Sequence, residues 1–438
     1  MRSTWWSSVF TVLRTLAAVL AGWSICSAGE LPFAAECDWL EDLTPTDLWT
    51  RDRLGGDLGG LRTAAGQHGI DGRIETTQFY QGVTSGGRQQ QFQYGGRNDY
   101  FINVDGAKAG LLPGSFLTVH GETRYGEDVS TLTGAAIPPA IGMGFPLPGQ
   151  TISGVTAFKY TQALSESFVV FGGKLNLLDD YTLNYSAGRG IERFQNGALV
   201  FNPTVARTAP YSTLGLGAAV LQNLQPVATL VVLDAVNRST EWGLDDAFSQ
   251  GAVIIGEGRL PVSIADLPGH QIVGAIWSSR QYGALSDTPL LILPPEVAAV
   301  PGLESGSWSV YYNFDQTLWI DPCNSQRTWG IFGQTGVADD DTSPIRWTAS
   351  FGVSGHVPWN YRPQDEFGLG YYYLGGSNTL KDAVAPLVTL QDGQGVEVFY
   401  KFNLSKWFAL TPNLQWIQPG QAAVDDAVVV GLRGKLTF

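Results

Sequence analysis

The stretch VVVGLRGKLTF, residues 428–438, decides the fold. Drawn out as a strand, it places Val428, Val430, Leu432, Leu436 and Phe438 on one face and Val429, Arg433, Lys435 and Thr437 on the other. Side chains alternate along a strand, so this segment offers one side to an apolar phase and the other to water. Residues 345–353 repeat the pattern, with Ile345, Trp347, Ala349, Phe351 and Val353 against Arg346, Thr348, Ser350 and Ser354. In residues 115–125, Leu117, Val119, Thr123 and Tyr125 oppose Thr118, His120, Glu122 and Arg124. No segment from Arg73 onward keeps a helical period.

Counting outward from these segments gives about sixteen strands. They span 72–82, 94–105, 114–125, 152–163, 167–177, 213–220, 226–236, 252–263, 271–282, 306–320, 328–337, 346–357, 366–374, 394–403, 406–417 and 427–438. An even number is what a bacterial single-chain membrane barrel requires. A soluble β-sandwich alternates too, so periodicity alone does not choose between them. Aromatic residues crowd the segment ends, as at Trp308, Tyr311, Tyr312, Phe314 and Trp319, where an aromatic girdle belongs. The links also alternate. Those at 164–166, 264–270, 321–327, 358–365 and 404–405 are short, while 126–151, 237–251, 283–305 and 375–393 are long. The fold class expected is therefore all-β, a transmembrane antiparallel barrel preceded by a short, partly helical N-terminal segment.

Composition agrees. Only 15% of residues are charged, against about 25% in an average soluble domain, and 54 glycines and 12% aromatics fill the gap. Mean hydropathy is zero, which suits a wall that is greasy on one side only and excludes a bundle of apolar helices. The net charge of −14 excludes a nucleic-acid partner, whose binders carry a basic footprint.

Residues 1–28 read as an export signal: Arg2 and Arg14, the apolar run TLAAVLAGWSIC, then small residues up to a cut after Ala28. Residues 29–71 form an N-terminal periplasmic or plug-like segment, and 72–438 the barrel. Of the two cysteines past the signal, Cys37 lies in the N-terminal segment and Cys323 in the turn DPCNSQ on the short-link side. Two cysteines in an oxidising compartment are candidates to pair, here as a staple holding that segment under the barrel.

Scattered patches resemble the carbohydrate-selective porins of the OprB type. They are DRLGGDLGGLRTAAGQHGI, GGRNDYFINVDGAK, FKYTQALSESFVVFGGKLNLLDD, YRPQDEFGLGYYY, and the closing LTPNLQWIQPG with VVVGLRGKLTF. Leu58 stands where that family usually has Trp, and Trp416 where Tyr is common. The resemblance implies a sixteen-stranded barrel in the bacterial outer membrane that passes sugars. Porins often assemble as homotrimers, so a homotrimer is an expected assembly.

Such a channel needs no catalytic group and no cofactor. It needs a constriction where charged groups bond hydroxyls beside an aromatic ring. The inward faces supply Arg97 and Asp99, then His120, Glu122 and Arg124, then Lys174. The link 178–212, expected to fold into the lumen, carries Arg189, Glu192, Arg193, Asn196 and Arg207. Arg97, Asp99, His120, Glu122, Arg124, Lys174 and Arg193 are the candidate constriction. Arg346, Lys401, Asn413, Gln415, Arg433 and Lys435 also face inward, and Arg362 with Asp365 reads as a structural pair at a turn. His68, His120, His270 and His356 form no metal-binding spacing, and no nucleophile elbow or phosphate loop occurs. Two other readings stand beside sugar passage: a general or anion-selective porin, and a structural or adhesion barrel plugged by residues 29–71.

Overall fold

The computed structural model describes residues 48–146, 151–287, 302–385 and 387–438; the export signal and Cys37 fall outside them. Sixteen strands follow in order: β1 (Ile70–Gly87), β2 (Phe92–Asp105), β3 (Ser115–Gly126), β4 (Ile152–Ser165), β5 (Phe168–Asn176), β6 (Ser212–Gln222), β7 (Gln225–Asp234), β8 (Ala252–Ile264), β9 (Leu267–Gly283), β10 (Leu303–Ile320), β11 (Thr328–Ala338), β12 (Ile345–His356), β13 (Glu366–Gly376), β14 (Gly393–Ser405), β15 (Phe408–Gln418) and β16 (Asp425–Thr437). Each pairs antiparallel with its neighbours, and β1 closes on β16, with Glu75 opposite Thr437 and Val83 opposite Val429. Closure removes the free edges that an open sheet would expose to lipid.

The two ends of the barrel differ. One carries hairpin turns as short as Asn223–Leu224 and Ala265–Asp266, both pairs in the left-handed region. Such turns match strand twist, and Asn and Asp tolerate the conformation. The other end carries the long links, among them 127–151, 177–211 and 235–251. No helix among the described residues is long and apolar enough to cross a membrane.

The alternation read from sequence sets the wall. Val430 and Leu432 face out, while Val429, Arg433 and Lys435 are buried inside. Phe351 faces out and Thr348, Ser350 and Ser354 face in. Ile345 departs from its expected face and is buried, because the register with β13 slips between Ile345 and Trp347. A one-residue slip turns every earlier side chain to the other face.

Residues 48–69 lie against the short-turn end. The Leu54 amide donates to the Thr437 carbonyl at 2.9 Å, Trp407 Nε1 donates to the Leu48 carbonyl at 2.8 Å, and Trp49 stacks on Trp407. A short helix, Leu61–Gln67, then leads into β1. These residues rest on strand ends and do not fill the lumen.

The lumen is filled from within the barrel sequence. The link 177–211 turns inward, and its Leu183, Tyr185, Phe194, Leu199, Val200 and Phe201 join the main hydrophobic core. Phe194 packs edge-on against Phe332 of β11 and Phe399 of β14, at 5.3 and 5.1 Å. Inward apolar residues on the wall therefore have a protein partner, as a buried apolar surface requires.

Candidate pore constriction

The inward link is built from short capped turns. The side chains of Asn176, Asn196 and Asn202 accept from the amides of Leu178, Ala198 and Thr204 at 3.1, 3.0 and 3.2 Å. Asn competes well for such caps because its short side chain reaches the backbone two residues on. Between them, Gly188, Arg189 and Gly190 all take positive φ. A Cβ at Gly190 would lie 2.5 Å from Ile141 and 2.8 Å from the Gly142 amide nitrogen, so only glycine fits there. The bend drives Arg189 into the wall.

There it meets a closed charge cluster. Arg97 grips Asp99 in a bidentate pair at 3.0 and 2.5 Å, contacts Glu122, and donates to the Gly142 carbonyl at 3.1 Å. His120 places one ring nitrogen 2.9 Å from Asp99 and the other 2.6 Å from Asp179. Arg189 adds Glu75 at 3.2 Å and Asp99 at 3.4 Å, and Tyr211 donates to Glu122 at 2.6 Å. Arg97, Asp99, His120 and Glu122 are at most 1% exposed. Asp99, His120 and Glu122 lie close enough to hold a cation. The arginines already neutralise those carboxylates, so the arrangement reads as an ion-pair lock.

A second set of anchors holds the far side of the link. Glu397 of β14 accepts the amides of Gln195 and Asn196 at 2.7 and 2.8 Å. Arg433 donates to the Gly190 and Glu192 carbonyls, both at 3.1 Å, and Lys435 contacts the Glu192 carboxylate. Arg193 bonds Glu366 at 2.9 Å. Burial opposes the ionisation of Glu192, but Lys435 and then Lys401 outweigh it and hold that carboxyl well below the usual carboxylate range.

The seven sequence-derived residues thus divide. Arg97, Asp99, His120 and Glu122 come together. Arg124 sits beside them on β3 but points its guanidinium toward the Gly126 carbonyl at 3.4 Å. Lys174 donates to the Glu241 carbonyl of an outer link at 2.6 Å, over the Trp242 ring. Arg193 lies across the lumen at Glu366. Sequence reasoning did not single out Glu75, Asp179, Glu366 or Glu397. Glu397 shares inward parity with Lys401, and that parity was the available signal.

The open space lies elsewhere. A cavity of about 550 Å³ separates the link from the β4–β10 wall. None of the seven residues lines it. Its charged lining is Lys159, Asp180, Arg207, Glu257, Arg259 and Arg280, with Phe145, Phe171, Tyr181, Tyr211 and Tyr311 supplying rings. Phe145 and Tyr211 stack at 4.3 Å. Arg259 bonds the Thr182 carbonyl and hydroxyl at 3.0 and 2.6 Å.

A family model, described as carbohydrate-selective porin, OprB family, matches residues 89–438. The chain belongs to the OprB family of carbohydrate-selective porins. Porin B of Pseudomonas aeruginosa is 29% identical over 198 residues, a match covering 40% of this chain and 43% of that relative. The chain therefore spans less than half the length of that curated relative in the match. Among solved structures, OprB of Pseudomonas putida at high pH superposes with a TM-score of 0.75 at 18% identity, over 89% of this chain and 99% of that one. The low-pH structure of the same protein gives 0.54 at 16%, with the same coverage. At these identities the likeness is one of fold. Membership of the OprB family and the closed barrel place the chain in the bacterial outer membrane, and both are those of a channel.

Proposed function

We propose that this OprB-family chain lets small carbohydrates diffuse passively across the outer membrane, through the space between the inward link and the β4–β10 wall. The cavity carries the reading. Its volume falls within the roughly 300–1,000 Å³ of small-molecule sites, and it sets aromatic faces beside charged hydrogen-bonding groups. Aromatic rings suit the apolar face of a sugar, and guanidinium or carboxylate groups suit its hydroxyls. Arg97, Asp99, His120, Glu122 and Arg193 serve this passage as positioning residues, by fixing the link; Arg124 and Lys174 act at its outer rim. Passage needs one barrel only, so the reading holds for a monomer and a homotrimer alike.

Single-channel conductance in a planar bilayer, titrated with glucose and then maltooligosaccharides, tests it. Discrete steps blocked saturably by sugar are expected. Steps indifferent to sugar would make the barrel a general pore, and folded protein without steps would make it a plugged structural barrel.

Cys323 is disulfide-bonded, and we assign Cys37 as its partner, stapling the N-terminal segment to the short-turn end. Peptide mass spectrometry without reductant should show the linked pair; two free thiols would refute it.

A further inference from the structure

We propose that the cavity contains an anion subsite at Arg207 and Arg280, so that its preferred solute is a small acidic sugar, a polyol ring bearing a carboxylate. The inference rests on the sugar reading above and sharpens it.

The charges lining the cavity are not equivalent. Lys159 is paired with Asp180. Arg259 has Asp315 at 3.7 Å and the Thr182 oxygens closer still. The Glu257 carboxylate is engaged by the Tyr311 hydroxyl at 2.6 Å. Arg207 and Arg280 differ from these. Arg207 stands on the inward link, exposed to the lumen, with Nε donating to the Thr342 carbonyl at 3.1 Å and the guanidinium over the Tyr282 ring. Arg280, near the long-link end of β9, donates Nη1 to the Ala235 carbonyl at 3.4 Å. Among the described residues neither forms a salt bridge to a carboxylate.

Carbonyl oxygens orient a guanidinium without cancelling its charge. The two groups also feel each other. Burial lowers the affinity of Arg207 for its proton, the nearby Tyr282 works the other way, and the Arg280 charge lowers it further. Two mutually repelling guanidiniums, held by carbonyls and lining one cavity, gain most from an added anion. Their planar forks match a carboxylate in two-point contact. The polyol has its own surface in the same cavity, in the Phe171 ring and the stacked Phe145 and Tyr211. The chain as a whole is acidic, at −14, so attraction for an anion here is local and owes nothing to the overall field.

The test is block of single-channel current at low salt, where charge is least screened, by sodium glucuronate, glucose and sodium acetate in turn. For the wild type, the half-blocking concentration of glucuronate is expected about tenfold below that of glucose, with acetate weaker than either. Arg207→Gln or Arg280→Gln should bring the glucuronate-to-glucose ratio close to one. Glucuronate no better than glucose in a wild type that glucose does block would overturn the subsite and leave the sugar reading intact. Acetate as effective as glucuronate would reduce the site to a general anion site and overturn the acidic-sugar assignment. Silence from both sugars would overturn the sugar reading and the subsite together.

Discussion

Two sectors of one lumen wall behave in opposite ways. Along β10–β16 and β1–β3 the inward side chains are engaged by the link 177–211: Asp315 holds Asn184, Gln334 accepts from Tyr181, Glu366 takes Arg193, Glu397 takes two amides, and Asp99 takes Arg189. Along β4–β9 the same kind of alternating wall, joined by Tyr311 and Asn313 of β10, lines open space. In the sealed sector charge serves to position the link; in the open sector some of it is left for a solute. An inward arginine is thus structural or selective according to whether it holds the link or faces the cavity.

Removal of the link should have the largest effect. Replacing residues 186–200 with a short Gly-Ser linker should raise single-channel conductance severalfold and abolish sugar block, while circular dichroism keeps its strand signature. Unchanged conductance would mean that the link does not set the open area.

Next in size is the ion-pair lock. Arg97→Met leaves Asp99 and Glu122 buried without their shared cation, a loss of about 3–5 kcal/mol. Thermal unfolding in detergent should show it as a clear drop in midpoint. The double variant Arg97→Met with Glu122→Leu should recover part of that drop, because the uncompensated charge goes with it.

A smaller change tests the apolar anchor. Phe194 is wholly buried between Phe332 and Phe399. Phe194→Leu keeps most of the volume and should cost under about 1.5 kcal/mol, read as a modest midpoint shift with noisier open-channel current.

The smallest effect concerns pH. The Glu192 carboxyl is held below its usual range by Lys435 and Lys401 after burial has pushed the other way. A depressed carboxyl contributes fully above its unfolded value and loses that contribution only as pH falls through the folded one. The Glu192 contribution should therefore be constant between about pH 7 and pH 5, so the gap in open-channel noise between Glu192→Gln and the wild type should not change across that window. Glu192→Gln should be noisier than the wild type throughout; a gap that closes as pH falls toward about 5 would contradict the depressed value.

The strands were legible because an alternating face is a local property. β6 and β7, expected at 213–220 and 226–236, lie at Ser212–Gln222 and Gln225–Asp234. Ile345 was misplaced because a register slip leaves no trace in the alternation itself. Inward parity was equally local, and Arg97, Asp99, His120, Glu122, Arg433 and Lys435 are all buried inside. What parity could not give was their partners. Arg193 meets a residue 173 positions away, and Lys435 one 243 positions away. Nor could it say that the seven candidates would be locked away from the cavity, while Arg259 and Arg280 line it.

About sixteen alternating strands joined by short and long links could be read from the chain alone, because strand period, turn chemistry and link length act over a few residues; that the long link 177–211 turns inward followed only from the folded barrel. Only the tertiary structure decided which inward charges are spent on holding that link and which remain free, because closing the barrel brings together groups that the chain keeps far apart.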